Sequence, residues 1–273
     1  MSVAILEGLP NLSTPFYMLL ECDDALLQRI YQLEADPQPQ ALFARTELAA
    51  HIEQGPWLMR MAPESQWLAA YRQEPEQWPG VLLSSSRSTD EVLAHLRRML
   101  VVQFEGERKG VLRYYDPRVA SYLFPATESI NSWLGPIEQF VWYGATWAAN
   151  AEHAKRWHSL RGESDSQGSL SDSGMFLDKV QLAALERQQL EAFAYAWQQE
   201  HSNIGFAQVW DYLQQGIAAG FDEEQSLNAY LDLRVSHPHH KTHPHIASGE
   251  VQLRLQQLQV WLAGMPAPME SQG

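Results

Sequence analysis

The spacing of apolar residues changes along this chain and divides it into two parts of different class. In the first part, short runs that are almost wholly apolar alternate with helical periodicities. Phe16 to Glu21 is rich in large side chains and predicts a buried strand. Asp23 or Asp24 can cap the segment that follows, where Leu26, Leu27, Ile30, Tyr31 and Leu33 recur at helical spacing until Pro37 and Pro39. Trp57 to Met61 predicts a second strand, and Trp67, Leu68 and Tyr71 a helix that stops before Pro75. Val81-Leu82-Leu83 is again short, apolar and bounded by turn residues. Ser88-Thr89-Asp90-Glu91 has the form of a capping box, opening a helix with Val92, Leu96 and Met99/Leu100 on one face. Val101 to Glu105 and Val111 to Tyr115 read as a hairpin about Gly106 and Gly110, and Glu138 to Tyr143 as the last strand. Such alternation predicts a sheet covered by helices.

Residues 162–175 contain Ser, Gly and Asp and almost nothing that can be buried, which reads as a linker and the first site of limited proteolysis. Beyond it the strand signals vanish. Leu190, Phe193 and Trp197 share a face, as do Phe206, Val209/Trp210 and Leu213. Gly220 suits a C′ position, and Asp222 with Gln225 suggests a capping pattern ahead of Leu227, Tyr230 and Leu231. Val251, Leu255, Leu258 and Leu262 signal a final helix. The expected organisation is an α/β or α+β lobe over 1–161 with a mixed sheet flanked by helices, the linker, an all-helical lobe over 176–264, and a disordered tail over 265–273.

Composition narrows the function classes. Nineteen basic residues against 33 acidic ones leave a formal charge of −14, which argues against nucleic acid or an anionic membrane surface as partner. The single cysteine, Cys22, excludes an internal disulfide and suggests a reducing compartment. No signal peptide and no membrane-spanning run is apparent, so a cytoplasmic protein is expected.

Candidate chemistry is sparse. His237, His239, His240, His243 and His245 are dense enough to bind zinc, nickel or copper. Pro238 and Pro244 break regularity there, however, and no carboxylate lies between Pro238 and Ser248, so an exposed loop with adventitious metal affinity is the favoured reading. Ser84-Ser85-Ser86 lacks the glycine-flanked nucleophile elbow, and Cys22 reads as a packing residue. Neither a Walker-type loop nor a Gly-x-Gly-x-x-Gly fingerprint occurs, and no cofactor is expected. Glu223-Glu224 look like first-turn helix residues, and His95 like a satisfied, partly buried histidine.

The densest local signal is Leu112-Arg113-Tyr114-Tyr115-Asp116-Pro117-Arg118-Val119. Leu112 and Tyr114 alternate with Arg113 and Tyr115 as at the end of a half-buried strand, and Asp116-Pro117 reads as an N-cap with proline at the first helical position. An arginine paired with Asp116 would pin this strand-to-helix elbow. Direct partner contact is the competing role for Arg113, Asp116 and Arg118.

Further blocks accompany the elbow: Tyr17-Met18-Leu19-Leu20-Glu21, Gly55-Pro56-Trp57-Leu58, Val81 to Ser85, His95-Leu96-Arg97-Arg98 and Leu134-Gly135-Pro136. In this order the set resembles the N-terminal domain of the type VI secretion effector adaptor chaperones, over about residues 14 to 140. Glu21 stands where aspartate is more usual. The resemblance implies a non-enzymatic adaptor that binds a cognate effector, often through its N-terminal segment, and loads it onto the VgrG or PAAR spike component. Tryptophan and tyrosine, ten of each, favour interface anchors. Arg113, Tyr115, Asp116, Arg118, Trp133, Trp142, Tyr143 and Trp147 are therefore the expected partner contacts, the aromatic ones near the lobe junction. The alternative function is a metal-dependent enzyme built on the histidine-rich loop 237–245.

Overall fold

The computed structural model describes residues 3–13, 15–21, 23–106, 108–162, 174–201, 203–238 and 250–264. Most of the expected linker, most of the histidine loop, Cys22 and the expected tail 265–273 lie outside the described residues.

In chain order the elements are β1 (Ala4–Leu6), β2 (Phe16–Leu20), α1 (Asp24–Leu33), β3 (Gln40–Ala41), β4 (Trp57–Met61), α2 (Gln66–Gln73), β5 (Gly80–Ser84), α3 (Thr89–Met99), β6 (Val101–Phe104) and β7 (Arg108–Val111). There follow α4 (Pro117–Leu123), α5 (Ile130–Leu134), β8 (Gln139–Gly144), α6 (Trp147–Ala151), β9 (Arg156–Arg161), β10 (Met175–Phe176), α7 (Lys179–Glu200), α8 (Phe206–Ala218), α9 (Glu224–Ser236) and α10 (Val251–Gly264). Short 3-10 turns precede β4, precede β5 and follow α4. An α/β region followed by a helical one is the architecture the spacing predicts.

Seven strands form one sheet in the order β1-β9-β8-β5-β2-β4-β3, antiparallel at every pairing. Only the small sheet β10-β6-β7 is mixed, with β10 parallel to β6. The large sheet is covered on both faces, which explains why β2 is apolar at every position. Tyr17 and Leu19 join Val81, Leu83, Phe140 and Trp142 in one core, under α3, α4 and α5. Phe16, Met18 and Leu20 join Leu82, Val141 and Trp157 in the other, with Ile30 of α1 and Trp67, Leu68 and Tyr71 of α2.

The capping box at Ser88 forms as the sequence predicts, Ser88 Oγ accepting from the Glu91 N–H while Glu91 accepts from the Ser88 N–H. The hairpin is displaced. Its second strand is Arg108–Val111, and Leu112 to Tyr115 leave the ladder in a turn. Burial alternates from Val111 to Tyr114 as expected but breaks at Tyr115, which is buried beside Tyr114 with the rings edge-on at 5.6 Å, so the chain turns there instead of continuing as a half-buried strand. Strand β9 has no counterpart in the sequence reading. Its two large apolar residues serve opposite faces, Trp157 in one core and Leu160 in the other, with Ser159 buried between them.

Two compact units divide at Gln189/Leu190, within α7, beyond the expected start of the helical lobe at 176. The first turns of α7 belong with the sheet unit because Gln181, buried, donates to Thr127 Oγ1 at 2.9 Å and exchanges backbone caps with Asp178. Met175, Leu177 and Leu185 pack on the same core.

The second unit is helical. Trp197, Val209, Leu213, Phe221, Tyr230, Leu231, Leu258 and Leu262 form its core. Gly220 takes the C′ position after α8 with φ +82, the Phe221 N–H reaching back to the Gly216 carbonyl. The capping pattern expected at Asp222 is absent: Glu223 is the N-cap and makes no side-chain cap bond. Arg234, fully buried with its guanidinium 4.6 Å over the Tyr212 ring, carried no sequence signal.

Candidate partner-binding site

The elbow is built by local capping and anchored by a distant strand. Asp116 Oδ1 accepts from the Arg118 N–H at 2.8 Å, capping α4, and Pro117 opens the helix where its missing N–H costs nothing. Both Asp116 oxygens also accept from the Arg118 guanidinium, each at 3.1 Å. Arg113 turns elsewhere. Its Nη2 donates to Glu21 Oε2 at 2.5 Å, while Tyr115 Oη donates to Glu21 Oε1 at 3.0 Å. Burial, then the Glu21 charge and hydrogen bond, hold the Tyr115 phenol well above its ordinary pKa. That phenol remains a donor throughout the physiological range. Glu21, the acid at the end of β2, is thus the residue that fastens the elbow to the sheet.

The same sheet end carries a pocket of about 310 Å³. Leu20 of β2 pairs with Gly80 of β5, Val81 pairs with Trp142 of β8, and Gly144 pairs with Arg156 of β9, so the β2 end, β5 start, β8 end and β9 start come together. The pocket is walled by Pro75, Glu76, Trp78 and Pro79 ahead of β5, by Asp116, Pro117 and Arg118 of the elbow, by Tyr143 and Gly144 of β8 with Ala145 after it, and by Trp147, Asn150 and Lys155. Arg118 lies over the Trp147 ring at 5.3 Å. Lys155 Nζ donates to Glu76 Oε2 at 2.8 Å across the rim.

Of the eight expected contacts, Asp116, Arg118, Tyr143 and Trp147 line this pocket. Arg113 and Tyr115 lie in the neighbouring Glu21 cluster. Trp133 and Trp142 do not belong to an open surface: they are 3% and 0% exposed, within the core of the sheet unit. Trp142 stacks on His158 with centroids 5.0 Å apart, and its Nε1 donates to Ser121 Oγ at 2.9 Å. Tryptophan abundance is largely a property of the cores, since Trp67, Trp78, Trp133, Trp142, Trp157 and Trp197 are all buried. The pocket residues that sequence reasoning missed as contacts are Pro75, Glu76, Trp78, Pro79, Gly144, Ala145, Asn150 and Lys155, with Pro117 read only as a helix start. Only Pro75 and Pro79 carried a local signal, which reads as a helix end and a strand boundary respectively.

His95 is more buried than expected, at 2% exposure. Its Nε2 donates to the Trp133 carbonyl at 2.7 Å and its Nδ1 accepts from Arg98 Nη2 at 3.1 Å, which fixes the tautomer. Burial, reinforced by the Arg98 charge, lowers its pKa to about 4. Ser85 Oγ donates to the Pro136 carbonyl at 2.6 Å and accepts from the Arg87 N–H, a structural role. Among the described residues no group of three or more His, Cys, Asp or Glu could hold a metal ion. His237 caps α9 through the Leu233 carbonyl, and His239, His240, His243 and His245 lie outside the described residues. No helix among the described residues is long and apolar enough to cross a membrane.

The sequence profile of the domain of unknown function DUF4123 matches residues 16–131, a little under half of the chain. That span runs from β2 to α5 and includes Glu21, the elbow and the Pro75–Pro79 wall of the pocket. No curated protein and no solved structure matches the chain.

Proposed function

We propose that this protein is a non-enzymatic adaptor that binds a cognate type VI secretion effector in the bacterial cytoplasm and delivers it to the VgrG or PAAR spike component. The observation that carries this reading is the DUF4123 match over residues 16–131, because that family is generally linked to type VI effector adaptors. The match spans all but the last of the blocks that resemble the adaptor chaperones, and within it Glu21, Arg113 and Tyr115 interlock in space. The pocket lining adds support: proline, tryptophan and tyrosine walls with carboxylate–cation pairs at the rim suit recognition of a polypeptide.

Co-expression with the product of the neighbouring toxin gene tests the proposal. A stable complex on size exclusion, with no hydrolase or nuclease turnover by the adaptor alone, is the expected result. Failure of every adjacent toxin to co-purify, or metal-dependent turnover by the protein alone, overturns it.

A further inference from the structure

We infer that the pocket at the sheet end takes one large apolar side chain from an extended, basic segment of a partner protein. Adaptor function supplies only the identity of that partner; the recognition chemistry is read from the pocket itself.

Size sets the first limit. A volume of about 310 Å³ lies at the lower edge of the range for small-molecule sites and accommodates one or two side chains. The walls set the second. Pro75, Pro79 and Pro117 offer no backbone N–H and hold their φ fixed, so these parts of the wall are stiff and present apolar rings. Tyr143 and Trp147 add partly exposed aromatic surface. Seating an apolar side chain there requires little ordering of the protein, which keeps the cost of association low.

Charge decides what flanks the anchor. Both cations of the lining are committed to lining carboxylates, Arg118 to Asp116 through two contacts and Lys155 to Glu76. An acidic ligand would have to displace one of these pairs. Glu76 is met through Oε2 alone and its side chain stays 57% exposed, so Oε1 can accept from an incoming Lys or Arg. The chain-wide charge of −14 draws a basic segment toward the surface. At the rim, the Asn150 side-chain amide offers a donor and an acceptor to the backbone of an extended segment.

Random twelve-residue peptides displayed on phage, selected on the full chain, test this. The expected consensus has one large apolar residue flanked by Lys or Arg. Retention of selected phage should fall at least tenfold on Tyr143→Ala and on Trp147→Ala, each assayed well below its own melting temperature. Glu76→Lys, at an exposed position, should shift the selected flanks toward Asp and Glu, with the melting temperature checked alongside. No enrichment, acidic flanks on the wild-type chain, equal retention on the pocket variants, or unchanged flanks on Glu76→Lys overturns the inference. Its failure is separable from that of the adaptor reading. A toxin that co-purifies equally with wild type and both pocket variants removes the pocket while leaving the adaptor. A wild-type chain that binds selected peptides but no adjacent toxin does the reverse.

Discussion

The imidazole of His95 occupies the space that a side chain on residue 135 would need. A Cβ built on Gly135 would lie 2.4 Å from His95 Cε1, and the glycine backbone sits at φ +52, ψ −115, outside the regions that L-residues favour. Two sequence blocks separated by a helix and an elbow, His95-Leu96-Arg97-Arg98 and Leu134-Gly135-Pro136, are therefore one packing unit.

Gly135→Ala should cost about 2–4 kcal/mol, combining backbone strain with overpacking against a ring that cannot retreat. Urea unfolding of Gly135→Ala, His95→Ala and the double variant checks the cause. A double variant less destabilised than the sum of the single ones is the expected coupling. Strict additivity would show that the clash with the ring is not responsible.

His95 also makes stability depend on pH. Its folded pKa is lowered to about 4 from an ordinary 6.5, because burial and Arg98 disfavour the imidazolium. Between these values the unfolded chain binds more protons, so stability rises with pH through the window. The contribution is fully present above about pH 6.5 and is lost as pH falls toward 4. A shift of this size corresponds to roughly 3 kcal/mol at the acid end. Denaturation at pH 7, 5.5 and 4 should show wild type losing more stability than His95→Gln across that interval. Parallel curves would remove His95 as the source.

What the sequence made legible was local chemistry. The Ser88 capping box, the Asp116-Pro117 helix start, the Gly220 terminus and the apolar runs of β2 and β5 all follow from short-range rules. What escaped it depends on tertiary partners. Leu112 to Tyr115 reads as a strand, yet Tyr114 Oη donates to the Leu96 carbonyl and Tyr115 Oη to Glu21, two bonds in different directions that no alternation encodes. β9 escaped because Trp157 and Leu160 serve opposite cores. The pocket was partly legible: Asp116, Arg118, Tyr143 and Trp147 were singled out, whereas Glu76, Asn150 and Lys155 come from turns and helix ends that only the sheet topology brings together.

Asp116 should act in stability chiefly as a cap. Asp116→Ala is expected to cost about 1 kcal/mol, and Asp116→Asn to restore most of it, because the Arg118 side chain is half exposed and its pairing adds little in water. Thermal unfolding of both variants at low and high salt checks this. An Asn variant as unstable as Ala would shift the role from cap to ion pair.

Trp142 and Trp147 should separate fold from binding. Trp142 is fully buried, and its Nε1 donates to Ser121 Oγ, which in turn donates to the Pro117 carbonyl at 2.7 Å, tying the core to the elbow that walls the pocket. Trp142→Ala should cost about 3–5 kcal/mol through the cavity and the stranded hydroxyl. Trp142→Phe keeps most of the packing and loses only the donor, so it should cost less, with the elbow still held by the Asp116 cap and the Ser121–Pro117 bond. Trp147 is only partly buried on the short helix α6, and Trp147→Ala should lower the melting temperature far less than Trp142→Ala. Cargo capture should follow the opposite order once each variant is assayed well below its own melting point: reduced for Trp147→Ala, near wild type for Trp142→Phe. If capture instead tracks melting temperature across all three variants, the pocket contributes to the fold alone and partner contact lies elsewhere on the surface.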